Sequence, residues 1–170
     1  MENSVITRKW SDIQGIAAID LSTGKKVGSI EDFYFEPASN AIRGLLIKTG
    51  LLGRRVLLSS AINAIGLDAV TFKDESTLVR EHDEQLAGAA AGRGLFAYRV
   101  LSEGGNVVGT IRNVIINIST PSATIVEAFE LSGGILERFN KRVASFSAKQ
   151  VTRYGHDVLV IPDEVAQSLR

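Results

Sequence analysis

Two short patterns in this chain have the residue types and spacing of known chemistry. Ser22 and Lys25 have the Ser-x-x-Lys spacing of some acyl-transfer enzymes, and residues 92–97 (Gly-Arg-Gly-Leu-Phe-Ala) fit the Gly-x-Gly-x-x-Ala pattern of dinucleotide-binding loops. The first chemistry needs a serine at a buried helix start, and the second needs a glycine loop between a strand and a helix. The sequence instead predicts an exposed turn at Ser22. At residues 92–97 it predicts a preceding linker and a following strand, in place of a preceding strand and a following helix. We therefore expect neither acyl transfer nor nucleotide binding.

The other polar candidates are two histidines and two aspartates. His82 lies in the predicted linker and His156 in a turn, and neither has a second metal ligand at a suitable spacing. Asp68 and Asp157 each precede a predicted strand, where a carboxylate usually accepts backbone hydrogen bonds of a turn. The chain has no cysteine, which excludes disulfides and thiolate chemistry. The sequence thus predicts no catalytic residue, no cofactor, no metal site and a protein that is not an enzyme.

Composition predicts a globular chain without a strong charge preference. The 170 residues include 19 basic and 19 acidic side chains, and 45% of the residues are hydrophobic. Zero net charge argues against strong phosphate-driven binding to nucleic acid. No stretch has the roughly 20 apolar residues of a membrane-spanning helix, and the N-terminus has no apolar run of signal-peptide length. We expect a soluble, cytoplasmic protein without a membrane span.

The chain contains an internal repeat. Gly24-Lys25-Lys26-Val27-Gly28-Ser29-Ile30 returns at residues 105–111 as Gly-Asn-Val-Val-Gly-Thr-Ile, and residues 65–70 (Ile-Gly-Leu-Asp-Ala-Val) return at residues 154–159 as Tyr-Gly-His-Asp-Val-Leu. A repeat of this length predicts two small domains of one kind, each with its own core. The boundaries that follow are domain 1, residues 1–79; a linker, residues 80–93; and domain 2, residues 94–170.

Local patterns within each copy predict short strands. Turn signals separate apolar runs every ~8–12 residues, which is typical of a small barrel or sandwich. In the first copy the odd step between Ile30 and Phe33 predicts a bulge near Glu31-Asp32, and the second copy has the same step. Residues 162–170 predict a short C-terminal helix, because proline and acids occupy the first turn. The charged, then Ala/Gly-rich residues 81–92 predict a flexible linker.

The repeated motif resembles a known family. Gly24-x-x-Val27-Gly28-x-Ile30-x-Asp32, followed by Ile65-Gly66-x-Asp68-Ala69-Val70, resembles the PRC-barrel domain. The second copy is similar through Gly105-x-x-Val108-Gly109-x-Ile111-x-Asn113 and Gly155-x-Asp157-Val158-Leu159-Val160. Asn113 stands where the family prefers aspartate, and the second copy carries an insertion within residues 134–142. The resemblance implies an all-β fold of two tandem small PRC-type β-barrels with a short C-terminal helix.

The resemblance also implies a kind of function. The PRC-barrel is known as the cytoplasmic domain of the photosynthetic reaction centre H subunit and as the C-terminal domain of a ribosome maturation factor. In both it acts by binding other proteins, and no catalytic residues define the family. This implies a non-enzymatic protein-binding or scaffold protein. An RNA-processing or ribosome-associated accessory factor is the alternative, by analogy with the maturation factor, and a small-molecule enzyme is a third class.

The loops after the third strand of each copy are candidate contact sites. Both join aliphatic side chains to basic residues, and apolar anchors beside arginine are common at protein interfaces. Two interpretations are open: the aliphatic side chains fold back on the barrel and the basic residues are solvated, or both contact a partner. That partner would be another protein or a second copy of this chain. The candidate residues are Leu51, Leu52, Arg54 and Arg55 in the first loop and Ile135, Leu136, Arg138 and Arg142 in the second.

Overall fold

The structure, a computed structural model, describes residues 4–51, 53–132 and 143–169. These residues are mostly β, as the all-β prediction expects, with 14 strands and only two short α-helices among them. The first half consists of β1 (Thr7–Lys9), α1 (Trp10–Ile13), β2 (Ala17–Asp20), β3 (Lys25–Glu36), β4 (Ala41–Thr49), β5 (Arg54–Leu58), β6 (Ile62–Ile65) and β7 (Ala69–Phe72). The second half consists of β8 (Ala90–Ala91), β9 (Arg99–Ser102), β10 (Val107–Asn117), β11 (Ile125–Ser132), β12 (Ala144–Ser147), β13 (Arg153–Tyr154), β14 (Val158–Ile161) and α2 (Asp163–Ser168).

The connections between these elements include short 3₁₀ turns, and the chain closes with the predicted C-terminal helix. In α2 the side chain of Ala166 is buried, and Val165 and the following Leu169 pack against the core. The 3₁₀ turns span Ser59–Ala61, Glu75–Thr77, Glu84–Leu86, Gly92–Ala97, Pro121–Ala123 and Ala148–Gln150.

Both halves pair their strands in the same order. In the first half β3 pairs antiparallel with β2 and β4, β4 with β5, and β7 with β6, while β2 and β7 are parallel. In the second half β10 pairs antiparallel with β9 and β11, β11 with β12, and β14 with β13, while β9 and β14 are parallel. The parallel pair brings the first and last full strands of each half together.

The repeated motif residues explain a shared irregularity of the long strands. The predicted bulge is confirmed: the β3–β4 register shifts between Ile30 and Asp32, and the β10–β11 register shifts at the same point of the second copy. Gly28 is required because a Cβ there would collide with the carbonyl oxygen of Lys48 on β4. At Gly109 a Cβ would collide in the same way with a carbonyl oxygen of β11. Glycine therefore allows both long strands to approach their neighbours closely.

Strand pairing among the described residues does not close either half into a ring. Among the described residues the pairings trace one path, β13-β14-β9-β10-β11-β4-β3-β2-β7-β6, and its two ends do not pair with each other. The halves meet in this path where β11 pairs with β4 through Ile125 and Ala41.

Buried side chains of the two halves form one continuous core. The rings of Phe35 and Phe129 lie 6.5 Å apart across the halves, and the ring of Tyr154 lies 5.5 Å from that of Phe35. The Tyr154 hydroxyl donates to Asn40 Oδ1 at 2.7 Å, and burial raises the pKa of this phenol. The expectation of a separate core in each domain is therefore wrong. Each half has only about 80 residues, and merging two small cores buries more apolar surface than either could bury alone.

Each half also contributes a short leading strand to the other half. β1 pairs with β10, where Thr7 lies opposite Asn117, and β8 pairs with β3, where Ala91 lies opposite Tyr34. We call β1 with α1, and β8 with the following 3₁₀ turn, the leading segments. This reciprocal exchange interlocks the halves.

The predicted linker packs against the first half. Leu86 is buried with Leu46, Val56 and Leu58 on the outer face of β4 and β5. Val79, just before this stretch, exchanges two backbone hydrogen bonds with Val56, at 2.8 and 2.9 Å. The apolar outer face of the first half explains why these residues lie on it.

Candidate protein-binding site

The β4–β5 hairpin ends in a turn that holds its apolar side chain in solvent. The Thr49 N–H donates to the Gly53 carbonyl oxygen at 2.8 Å, and the Thr49 hydroxyl donates to the same oxygen. Gly53 has φ +74°, a left-handed conformation that favours glycine. Leu51 lies between these residues and is fully exposed, at 104% of its reference surface. Leu51 therefore does not fold back on the sheet.

Below the tip, Arg54 is held by a bidentate ion pair. Its Nε lies 2.6 Å from Glu31 Oε2, and its Nη2 lies 3.0 Å from Glu31 Oε1. The hydrogen bond from Arg54 lowers the pKa of the Glu31 carboxyl, and the same bond raises the pKa of Arg54. About half of the Arg54 side chain remains exposed, at 48%. Arg54 thus presents a rigid, largely neutralised edge to solvent.

Arg55 points away from this pair, toward the chain segment after β7. Its Nη1 donates to the Arg54 carbonyl oxygen at 2.9 Å, and its residue is half-buried. It lines a groove with His82, Asp83 and other residues of the stretch 78–84. The structure therefore brings Leu51, Arg54 and Arg55 to one hairpin end, where Leu51 is exposed and both arginines make hydrogen bonds.

The other predicted contact residues are not placed by the structure. They lie outside the described residues: Leu52, Ile135, Leu136, Arg138 and Arg142.

A buried carboxylate beside Glu31 was missed by sequence reasoning. Asp32 is only 3% exposed, and its Oδ1 accepts the N–H of Phe33 at 2.8 Å and that of Arg93 at 3.0 Å. Its Oδ2 makes no hydrogen bond to any described residue, although Arg93 Nε lies 3.9 Å away, which is close enough for attraction but too far for a hydrogen bond. Burial raises the pKa of Asp32. The sequence feature that could have identified Asp32 as buried is its position at the predicted bulge of a strand rich in apolar residues.

Asn113 accepts backbone hydrogen bonds at the bulge of β10, as Asp32 does at the bulge of β3. Its Oδ1 accepts the N–H of Val114 at 2.9 Å and that of Ser11 at 3.3 Å, and its Nδ2 donates to Ser11 Oγ at 2.8 Å. Each bulge side chain therefore fastens the leading segment contributed by the other half. This role is structural, since both side chains bind the chain's own backbone.

The motif at Ser22 is a turn, as the sequence predicts. The Ser22 hydroxyl donates to Asp20 Oδ1 at 2.5 Å, and Asp20 also accepts the N–H groups of Ser22, Thr23 and Glu75. These bonds, the Ser22 hydroxyl first, lower the pKa of Asp20. The 3₁₀ turn Gly92–Ala97 leads into β9. Among the described residues no group of three or more His, Cys, Asp or Glu is arranged to hold a metal ion.

The family comparison covers the half of the chain that contains this hairpin. The family model of the PRC-barrel domain matches residues 6–78. Residues 6–78 are a PRC-barrel domain. Leu51, Arg54 and Arg55 therefore lie on the PRC-barrel domain itself, as does the bulge carboxylate Asp32. No curated protein matches the chain. In the described ranges, no helix has the length and apolar character needed to cross a membrane.

Proposed function

We propose that this chain is a non-enzymatic scaffold that binds another protein, built from two PRC-type modules. The first module is the PRC-barrel domain at residues 6–78, and we place the second at residues 94–170. Two observations support a second module: the halves pair their strands in the same order, and the bulge recurs at Asn113. In this proposal each module has the PRC-type strand order without closing into a ring within the described residues, and the two modules share one core.

The interlocked halves suit a scaffold. Because β1 pairs with β10 and β8 pairs with β3, neither half can rotate against the other without breaking backbone hydrogen bonds. Halves that cannot rotate against each other have less freedom to lose when a partner binds, which lowers the entropic cost of binding.

The observation that carries the proposal is the exposure of Leu51. Burying a leucine side chain contributes about 1.5–3 kcal/mol, and here that surface lies at a hairpin end beside two arginines. We propose that a partner covers Leu51 and hydrogen-bonds to the exposed edges of Arg54 and Arg55. The insertion that contains Ile135, Leu136, Arg138 and Arg142 is proposed as a second contact of the same kind.

The test is affinity capture of partners by the tagged full chain, followed by mass spectrometry. A protein that the wild type captures should be recovered at least about tenfold less with Leu51→Ser, because apolar anchors dominate interfaces. Leu67→Ser is the matched control, since Leu67 is 80% exposed in a different turn. The variant with Arg54, Arg55, Arg138 and Arg142 changed to glutamate should also lose the partner.

Arg54→Glu would also place two carboxylates together, so Glu31→Gln serves as its control. Glu31→Gln weakens the ion pair without altering the hairpin end, and the partner should be retained. Equal recovery of every captured protein by wild type, Leu51→Ser and the four-arginine variant would refute the contact. Capture that collapses between about 50 and 200 mM salt would point instead to a nucleic-acid-containing particle.

A further inference from the structure

We propose that strand β12 pairs with β12 of a second copy of this chain, antiparallel about a two-fold axis at Ser145. This interface goes beyond the proposed partner contact at Leu51 and does not depend on it.

The first half shows how the corresponding strand edge is closed. On β5, Val56 exchanges N–H···O bonds with Val79 at 2.8 and 2.9 Å, in an antiparallel bridge. Val79 also packs with Leu46 and Leu86 on the outer face. The chain itself therefore covers the outer edge of β5.

Ser145 occupies the place of Val56 in the second half. The registers establish this, because Leu46 lies opposite Val56 on the first hairpin and Glu130 lies opposite Ser145 on the second. Leu46 follows the residue opposite Phe33, and Glu130 follows the residue opposite Val114, so the two hairpins are aligned. The outward backbone groups of Ser145 are thus those that Val56 uses to bind Val79.

The end of the chain is folded elsewhere. Val79 lies seven residues after Phe72, the end of β7, and the residue seven positions after Ile161, the end of β14, is Ser168. Ser168 is in α2, where its hydroxyl donates to the Val165 carbonyl oxygen. Within residues 4–51, 53–132 and 143–169, no other segment pairs with the outer edge of β12. Ser145 is exposed.

The sequence of β12 suits pairing with its own copy. Charged side chains and proline usually protect an exposed strand edge from pairing with another chain. Residues Ala144–Ser147 contain neither. An uncharged strand can lie antiparallel to itself without bringing like charges together. Phe146 is buried in the core, so the outer face presents only the hydroxyls of Ser145 and Ser147. A two-fold pairing places Ser145 directly opposite its counterpart, where two small uncharged side chains neither clash nor repel.

The first test uses the absence of cysteine from the chain, which makes Ser145→Cys a single-thiol protein. Because Ser145 would exchange both backbone bonds with its counterpart, as Val56 does with Val79, the two Cα atoms should lie about 5.5 Å apart, within the span of a disulfide. Under mild oxidation, purified full-length Ser145→Cys should form covalent dimer at least about tenfold faster than Asn63→Cys, because pairing raises the effective thiol concentration. Asn63 is the matched control, an exposed residue on the edge strand β6. Equal cross-linking of the two variants would overturn the proposal.

The second test measures mass by sedimentation equilibrium. A short strand interface is small, so the wild type should approach twice 18.3 kDa only in the range of about 0.01–1 mM. Ser145→Lys and Ser145→Glu should each remain monomeric, and an equimolar mixture should recover the dimer through opposite charges at the axis. A wild type that stays monomeric up to about 1 mM, or a mixture that does not associate, would also overturn it. Both tests use the purified chain alone, so their failure leaves the contact at Leu51 standing.

Discussion

The two leading segments are fastened by the same kind of bond with different chemistry. After β8, the N–H of Arg93 donates to Asp32, a buried carboxylate whose other oxygen has no hydrogen bond within the described part of the chain. After β1, the N–H of Ser11 donates to Asn113, whose amide nitrogen donates back to the Ser11 hydroxyl. A neutral amide therefore suffices for this connection. The charge of Asp32 costs solvation energy, because among the described residues its second oxygen has only the distant Arg93 guanidinium, at 3.9 Å, in place of water.

The apolar contacts of the same segments differ just as much. Trp10, directly after β1, places its ring edge-on to Phe33 with centroids 4.8 Å apart. Gly92, directly after β8, lies so close to the Phe33 ring that a Cβ there would overlap it. One Phe33 ring thus contacts a large residue of one segment and glycine of the other. The large–small combination fills the junction of the two halves without overpacking.

The largest loss of stability is expected when Trp10, the large residue that contacts Phe33, is truncated. Trp10→Ala should lower the free energy of unfolding by about 3–5 kcal/mol, because it leaves a cavity against Phe33. Gly92→Ala should lower it by about 1–3 kcal/mol, by overpacking the same ring. Since Trp10 is the only tryptophan, urea unfolding should be followed by circular dichroism. A loss below about 1 kcal/mol for Trp10→Ala would show that Phe33 does not depend on this contact.

The next effect concerns the two bulge side chains. Asp32→Ala should lower the free energy of unfolding by about 1–3 kcal/mol, because the buried Phe33 N–H and the part-buried Arg93 N–H lose their acceptor. Asn113→Ala should lower it less, by about 1 kcal/mol, since Ser11 is exposed and water can replace the lost bonds. Urea unfolding of both variants measures the difference. A larger loss for Asn113→Ala would contradict the greater burial of the Asp32 site.

The pH dependence of Asp32 should have the opposite sign to that of a salt-bridged acid. Because burial raises its pKa above 3.8 in the folded state, the folded protein binds this proton more tightly than the unfolded chain. The penalty from Asp32 is thus fully present above the raised pKa and is lost as the pH falls toward 3.8. The stability of wild type relative to Asp32→Ala should therefore rise on acidification, whereas that relative to Asn113→Ala should not change. If the stability of wild type relative to Asp32→Ala fell as the pH was lowered, this sign would be wrong.

The smallest effect is expected at the neighbouring exposed pair. Glu31→Gln should lower the free energy of unfolding by less than about 1 kcal/mol, because Glu31 and Arg54 are partly exposed and screened. The Glu31 pKa is lowered from 4.5, so its contribution is present above that pH and is lost as the pH falls through the lowered value. Unfolding at low and high salt should show a difference that shrinks with salt. On acidification the adjacent residues Glu31 and Asp32 would thus change the free energy of unfolding in opposite directions.

Local features of the fold were predictable because their causes are local. The odd step between Ile30 and Phe33 predicted the bulge, which is a property of one strand. Residues 162–170 predicted α2 from proline and acids at its start. The hairpin at Leu51 was also visible, because turn residues surround an apolar residue.

Long-range features were not predictable in the same way. Thr7 pairs with Asn117, and nothing in either residue's neighbourhood identifies the other. The bond from Arg93 to Asp32 likewise uses a backbone N–H, which every non-proline residue has. The packing of Leu86 on the outer face of β4 and β5 was not predicted, because a single leucine among charged residues and glycines is typical of a linker. Two separate cores were expected because the repeat was clear, while the partner of each apolar face was not.

Protein synthesis delivers the chain from its N-terminus, so Thr7–Lys9 are made long before residues 115–117, with which they pair. Likewise β3 leaves the ribosome before Ala90–Ala91 exist to bind it. A nascent chain that ends within the first half therefore has an unpaired leading strand. We expect co-translational folding to wait until β10 has emerged, and the chaperones that bind exposed strands to meet the nascent chain in that interval.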